Sequence, residues 1–341
     1  MGKRVGIKEV AAEAGVSIAT VSYVMNNKSS ESLSPETVER VQAAIKKLNY
    51  VPNLSGRILA NNKSNLIGVV IPQTEPKKEF MFSNPFYSEF LSSFEYTCRI
   101  NGYHVLISGT NVDENYIQVA KKRNLDGIVI LGINSEDEQQ ELEKSDIPII
   151  MVDSYVKSNH FSTLGIDDRY GGYLATKYLL DKGHRNIALI TGTVGEDSVN
   201  YERLNGYRDA LEESNLKYQD KYVLCGNVDY WYGVEAAEKI KQYKNEVTAV
   251  FCTADILAMG LMKGLGQLKL SVPDDISVIG FDDVFIAKVT NPALTTVNQN
   301  VAAKGERAAK MVIGLATNKL KGKQNYVIPI EIVERESVKE A

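Results

Sequence analysis

Apolar residues near the start of the chain recur at helical spacing. Ile7, Val10, Ala11 and Ala14 stand at i, i+3, i+4 and i+7, one face of a helix. Gly15 follows at once, where a left-handed residue often ends a helix and glycine adopts that conformation without a Cβ clash. Ser17 can cap a second helix with its hydroxyl. On that helix Val21, Val24 and Met25 share a face, while Ala19, Ser22 and Tyr23 point away from it. Two helices on a Gly-containing turn form a helix-turn-helix, whose second helix fits the major groove. The pattern also suits a helical hairpin inside a larger fold.

Ser34-Pro35-Glu36 starts a third helix with a capping hydroxyl, a first-turn proline and an acid near the positive end. Val38, Val41, Ile45 and Leu48 line one face of it, and three such helices can just close a small core. Residues 53–60, after Pro52, are a fourth helical candidate. They are too few to be stable alone and contain Gly56, so something else must order them. Residues 61–64 read as a linker.

From Leu66 the pattern changes to short apolar runs of strand type, the first being LIGVVIP. Further strands are predicted at 104–108, 127–131, 147–152, 187–191, 222–224, 249–253 and 277–281. Helices are predicted between them at 87–101, 170–182, 205–214, 231–241, 255–265 and 304–315. This alternation predicts parallel sheets covered on both faces, and so many strands suit two domains in tandem better than one sheet. The fold class is therefore a small all-α head followed by an α/β core.

At 341 residues each part has enough chain for its own core. Charge divides with the fold. Residues 1–63 hold nine Lys/Arg against five Asp/Glu, and the remainder 30 against 38. A basic head on an acidic body suits a head that meets phosphates. Cys98, Cys225 and Cys252 are widely spaced without a CxxC pattern and read as small buried residues in a reducing compartment. No apolar run reaches the length of a membrane span, and Met1-Gly2-Lys3-Arg4 leads into an amphipathic helix instead of a signal-peptide core. A cytoplasmic protein is expected.

Several short stretches, taken in order, resemble the LacI/GalR family of bacterial transcription regulators, which includes catabolite-control, galactose, lactose and purine repressors. In the head they are Lys8-Glu9-Val10-Ala11, Ala14-Gly15-Val16-Ser17, Thr20-Val21-Ser22 and Leu48-Asn49-Tyr50-Val51-Pro52-Asn53. In the body they are Asn84-Pro85-Phe86, Asp126-Gly127-Ile128, Val152-Asp153, Gly183-His184-Arg185, Arg203 with Gly206-Tyr207, and Gly280-Phe281-Asp282-Asp283 followed by Leu294-Thr295-Thr296-Val297. The resemblance implies a helix-turn-helix head at 1–52 and a hinge helix with linker at 53–64. It implies a core of two Rossmann-like subdomains of the periplasmic-binding-protein type I. Residues 65–163 and 295–322 are expected in the first subdomain, 164–294 and 323–341 in the second, with crossings near Thr163, Leu294 and Gly322. A small ligand, a sugar by preference, is expected between the subdomains. Two chains are expected to pair, and the lack of a leucine heptad after Val338 favours a dimer over a tetramer.

By family position the base-reading residues are Ile18, Ala19 and Tyr23, with Ser17, Thr20, Ser22 and Asn26 in support or reaching phosphate. Ile18 lies near the core side of its helix, so base contact and core packing both remain open. Ile and Ala can only pack on apolar edges such as a thymine methyl. Relatives often have a basic residue where this chain has Tyr23, and its loop before Ser34 is about two residues longer. Leu59, with Ala60 beside it, matches a leucine that wedges between base pairs from the minor groove; the alternative is packing on its own head. Gly56 raises the cost of ordering this hinge by roughly 1 kcal/mol relative to Ala, so Gly56→Ala is expected to bind operator more tightly.

The resemblance assigns the cleft to Asn84, Phe86, Asp153, Arg203, Trp231 and Asp282. Such a set suits a polyol: carboxylates accept from hydroxyls, a guanidinium donates, and aromatic rings cover a pyranose face. Trp231 sits in Tyr230-Trp231-Tyr232, a stacking platform or plain packing. Ala254 replaces a polar amide common in relatives, which removes one expected hydrogen bond to ligand. Asp167-Asp168-Arg169 reads as a loop leading into a helix. His104, His160 and His184 are scattered, and no nucleophile elbow, Walker loop or complete GxGxxG is present. No catalytic residue, metal or cofactor is expected. A sugar-binding transport protein and a sugar- or nucleotide-metabolising enzyme are the rival classes; the first has no use for the head, the second needs a catalytic cluster. The resemblance leaves open whether a phosphocarrier protein is also a partner.

Overall fold

The computed structural model describes residues 5–25, 33–50, 63–72, 81–110, 116–132, 139–140, 142–155, 158–196 and 198–341. The chain divides into two compact units between Ser64 and Asn65. The first unit contains α1 (Ile7–Ala14), α2 (Ile18–Met25) and α3 (Pro35–Lys47). Gly15 closes α1 at φ 64°, a left-handed conformation that a side chain would strain. The Ser17 hydroxyl accepts from the Thr20 amide at 3.1 Å, and Ser34 accepts from Thr37 at 3.3 Å, so both later helices begin on the caps read from sequence. Val10, Ala11, Ala14, Val21, Val24, Val41 and Ala44 bury together as the core of this unit. The fourth helical candidate, 53–60, lies outside the described residues.

The second unit contains β1 (Leu66–Pro72), α4 (Pro85–Ile100), β2 (His104–Thr110), α5 (Tyr116–Arg123), β3 (Gly127–Leu131), β4 (Ile149–Val152), β5 (Ser162–Gly165), α6 (Asp168–Asp181), β6 (Ile187–Gly192), α7 (Val199–Glu213), β7 (Val223–Gly226), α8 (Tyr230–Gln242), β8 (Ala249–Cys252), α9 (Asp255–Gln267), β9 (Ser277–Asp282), β10 (Thr295–Asn298), α10 (Val301–Ala316), β11 (Asn325–Val327) and β12 (Glu331–Val333). Two six-stranded sheets result, in the orders β2-β1-β3-β4-β5-β11 and β7-β6-β8-β9-β10-β12. All neighbours are parallel except β12, which runs antiparallel to β10. The central strands β3, β6, β8 and β9 are buried at every residue, as sheets covered on both faces require. The two subdomains thus repeat one strand order and differ in the direction of the last strand, and in each the carboxyl ends of the parallel strands form the place where a ligand is held in open α/β sheets.

The chain passes from the first sheet to the second after Gly165, returns after Asn298, and passes again between Val327 and Glu331. Each passage is later than Thr163, Leu294 and Gly322. Thr163 lies inside β5, β10 pairs with β9 of the second sheet, and β11 pairs with β5 of the first. The reason is chemical: STLG, TTVN and NYV are short, polar strands that do not read as apolar runs. Thr295 and Thr296 are nonetheless buried, because the Thr295 amide donates to Ser337 Oγ at 2.8 Å and the Thr296 hydroxyl to Asp255 at 2.6 Å. A second correction concerns Cys225. Cys98 and Cys252 are buried as expected, but Cys225 is exposed, because β7 is the edge strand of its sheet.

Helices α6 and α7 touch backbone to backbone. A Cβ on Gly172 would fall 2.1 Å from the Arg203 carbonyl oxygen, and one on Gly206 would fall 1.9 Å from that of Arg169. The close approach brings the first turn of α6 against the first turn and a half of α7, where the cleft residues stand.

Candidate functional site

The outward face of α2 carries the base-reading candidates. Val21 and Val24 turn inward. Ser17, Ile18, Ala19 and Tyr23 are exposed, Ile18 at 45% and Tyr23 at 49%, and Thr20 and Ser22 are half-buried. Ile18 therefore does not belong to the head core. An Ile and a Tyr exposed on one short helix leave apolar surface that water does not reward. Ser17 holds the helix start through the Thr20 amide and its hydroxyl, the latter at 2.9 Å. Asn26, Gly56, Leu59 and Ala60 lie outside the described residues.

In the core, a chain of buried and half-buried polar groups runs along the carboxyl ends of both sheets. Asp153 follows β4, and its Oδ1 accepts from Lys304 Nζ at 2.6 Å. Lys304, on α10, is 0% exposed. Its ammonium also donates to Gln299 Oε1. Gln299, in the crossing between β10 and α10, donates from Nε2 to Asp282 Oδ1 at 2.5 Å. Asp282 ends β9 in the second sheet. Beside it Arg203, on α7, donates from Nε to Asp168 Oδ1 at 2.8 Å and from Nη1 to the Thr253 carbonyl at 2.6 Å. The guanidinium lies 3.7 Å from the Phe281 ring centroid, a cation–π contact in a dry place. Tyr155, which follows β4, donates its hydroxyl to Asp168 Oδ2 at 2.8 Å. The two subdomains are therefore linked twice, by Lys304–Gln299–Asp282 and by Tyr155–Asp168. A third link joins α4 to the turn after β9, where the Phe285 amide donates to Glu89 Oε2 at 3.2 Å.

Backbone and charge are both perturbed here. Asp153, Asp282, Asp283 and Asn300 have positive φ, of 50°, 125°, 57° and 49°. Non-glycine residues in that region concentrate where a surrounding structure over-determines them, as binding sites do. Burial pushes the Asp282 carboxyl up to about 6, with Arg203 pulling the other way. Burial also raises Asp168 against the attraction of Arg203. Asp255, buried behind Asp282, is raised well above the ordinary range by burial and then by the Asp282 charge.

The other cleft candidates divide. Phe86 is half-buried on α4, stacks on Phe90 at 6.4 Å, and has Lys304 Nζ 5.5 Å from its ring centroid, so it borders the network. Asn84 caps α4 through its side-chain oxygen, 3.0 Å from the Phe86 amide, which leaves its NH2 group for other work. Trp231 stands apart. It is 75% exposed in the first turn of α8, beside the outer edge of the second sheet, while Tyr230 and Tyr232 pack against the core beneath. Ala254 precedes α9 without any side-chain cap, as its apolar side chain dictates.

Sequence reading missed Lys304, Gln299 and Tyr155, and took Asp168 for part of a structural loop. Asp167 does cap α6, accepting from Tyr170 at 2.9 Å, but Asp168 is the buried partner of Arg203. A signal for Lys304 was present. It falls three residues after Val301 and four before Ala308, on the apolar face of its own helix. Among the described residues no group of three or more His, Cys, Asp or Glu could hold a metal ion, and no helix is long and apolar enough to cross a membrane.

Residues 6–53 match the family model of bacterial regulatory proteins, lacI family, and residues 176–338 match the periplasmic binding protein-like domain. The HTH-type transcriptional repressor PurR of Vibrio vulnificus (strain CMCP6) is 34% identical over 339 residues, covering 98% of both chains. Among solved structures, the lac repressor dimer bound to operator and the anti-inducer ONPF aligns with a TM-score of 0.83 at 25% identity, covering 99% of this chain and 100% of that one. A complex of the transcriptional regulator CelR with cellobiose aligns with a TM-score of 0.71 at 29% identity, covering 98% and 100%.

Proposed function

This chain belongs to the LacI family of bacterial regulatory proteins and is a DNA-binding transcriptional repressor; from that premise we propose that a sugar held between its core subdomains sets its affinity for operator DNA, and that the genes it controls serve carbohydrate use. The observation that carries the reading is the buried chain Asp153–Lys304–Gln299–Asp282, with Arg203–Asp168 beside it. Its carboxylates match hydroxyl donors, the Arg203 fork matches hydroxyl or ring oxygens, and the Phe86 ring offers an apolar face for a pyranose. The cellobiose complex of the similar regulator CelR supports the ligand class. Asn84 extends the site towards its mouth, and Trp231 stands apart from it.

The mechanism is linkage. Arg203, Asp282 and Lys304 are buried, so a ligand that reaches them parts the chain joining the subdomains. Ligand binding and subdomain orientation are then one equilibrium, and DNA affinity and ligand affinity change each other by the same factor. At the DNA end, Ile18, Ala19 and Tyr23 face base edges, with Ser17, Thr20, Ser22 and Asn26 fixing the helix or reaching phosphate. Leu59, flanked by Ala60, enters the minor groove as a wedge. Two such chains in the cytoplasm pair on a duplex with two half-sites.

A gel shift on fragments from the protein's own upstream region tests this, repeated across mono- and disaccharides with and without a phosphorylated carrier protein. At least one sugar is expected to change the midpoint severalfold, and the direction of change separates inducer from corepressor. A midpoint indifferent to every sugar, with thermal stability equally indifferent, overturns the ligand class. A response only in the presence of the carrier makes the carrier a co-regulator.

A further inference from the structure

The first subdomain gathers cations at one end. At its cleft end Asp153 is paired with Lys304. The opposite end, where its strands begin, carries exposed cations: Lys121, Lys122 and Arg123 at the end of α5, Lys144 before β4, and Lys319 and Lys321 after α10. None of these six has a side-chain hydrogen bond or ion pair among the described residues. The acids described at that end are Asp126, Glu143 and the exposed Asp146, and none of them forms an ion pair with these cations. Asp126 accepts from the Asn65 amide at 2.9 Å, and Glu143 from the Ser158 hydroxyl at 2.7 Å.

Lysines at helix carboxyl ends favour the helix dipole, which accounts for a cation at each of these places. It does not account for the number of cations gathered at one end, six against three described acids. The corresponding end of the second subdomain, built on the same strand order, shows the contrast. There Lys221 pairs with Glu246 at 2.7 Å, and Lys182 with Glu334 at 2.8 Å. Two ion pairs thus stand at that end, where Lys241 and Lys244 are also exposed, and among the described residues none stands at the six cations of the first subdomain, in a body that is acidic as a whole.

The end with the six cations is also the one where the chain arrives from the head. Asn65 precedes β1, and its carbonyl accepts from the His104 amide at the start of β2. Residues 51–64 join that point to the head, at most about 50 Å of extended chain. A duplex gripped by the head is therefore tethered to this end, and duplex DNA is a dense line of negative charge. We propose that the strand-start end of the first subdomain is a second DNA contact, independent of base sequence, which takes phosphates of the duplex that the head holds. The proposal rests on DNA binding by the head and adds a surface that the helix-turn-helix does not include.

The test is the full-length triple variant Lys121→Gln/Lys122→Gln/Arg123→Gln, titrated by fluorescence anisotropy against a random-sequence duplex several helical turns long and against an upstream fragment, over a series of KCl concentrations. Each lost phosphate contact lowers the slope of log K against log [KCl] by about 0.9, so a fall of roughly two to three is expected, with binding weaker by roughly tenfold or more at moderate salt. The loss is expected equally on both duplexes, with the thermal melt unchanged. The control is Lys241→Gln/Lys244→Gln, at the corresponding end of the second subdomain, which is expected to leave the slope alone. A parent-like slope in the triple variant overturns the proposal and leaves the patch to an acidic protein partner. An equal loss in the control overturns it too, because the effect is then one of net charge. If the parent binds neither duplex, the DNA reading and this proposal fail together.

Discussion

The head and the cleft place their working side chains in opposite physical settings. On α2, Ile18, Ala19 and Tyr23 stand in water on a helix whose fold depends on other residues, Val21 and Val24. In the cleft, Arg203, Asp282 and Lys304 are buried, and each is held by another group of the set. Stability and recognition are therefore separable in the head and inseparable in the cleft. A surface reader can be exchanged residue by residue. A buried polar network must be satisfied as a whole, because each member leaves a partner uncompensated when removed.

The largest test of that contrast is Arg203→Ala. Its loss leaves Asp168 fully buried with only the Tyr155 hydroxyl and its own helix start for company. Breaking a buried pair by removing one partner destabilises by about 3–5 kcal/mol. Urea unfolding of the two proteins side by side measures it. A difference below about 1 kcal/mol contradicts the coupling of site and stability in the cleft, since ordinary exposed substitutions reach only about half that.

Asp282→Asn is expected to move stability the other way. Burial pushes the Asp282 carboxyl up to about 6 in the folded chain, above its ordinary 3.8. A carboxyl raised by folding contributes stability that is full below the unfolded value and is lost as pH rises through the folded value. Above pH 6 the parent therefore holds an unfavourable buried charge, which the amide lacks while its oxygen still accepts from Gln299. The shift corresponds to an advantage for the variant of up to about 3 kcal/mol at neutral pH, shrinking to nothing towards pH 4. Thermal melts at steps between pH 4 and 8 read the difference, and ligand response is expected to be lost. A pH-independent difference sinks this account of Asp282. More stability with less function is the trade expected at a binding site.

The same contrast explains what was legible in the sequence. The head's helices, caps and outward face follow from periodicity and a few turn residues, all local. The apolar strands of the core follow from runs such as Ile187–Gly192 and Ala249–Cys252. Arg203, Asp153 and Asp282 came from family resemblance. What stayed hidden depended on contacts between distant parts of the chain. The polar strands β5, β10 and β11 are held by neighbours, and the crossings shift with them. Asp168 lies 35 residues from Arg203, and Lys304 lies 151 from Asp153. No window on the sequence joins such pairs, although a lysine on the apolar face of α10 marks where to look.

Tyr23→Ala gives the smallest effect and the sharpest contrast. Tyr23 is half exposed and lies outside the head core, so its truncation is expected to change unfolding free energy by no more than about 0.5 kcal/mol. Operator affinity is expected to fall roughly tenfold, about 1.4 kcal/mol. Affinity for a random duplex is expected to hold, because a phenol facing base edges contributes to reading sequence more than to holding phosphate. Anisotropy titration on both duplexes, with a melt of the same preparation, separates the three quantities. Equal loss on both duplexes makes Tyr23 a phosphate contact. A lowered melting temperature of matching size makes it a packing residue, and the separation of stability from recognition in the head then fails at the position where it is most exposed to test.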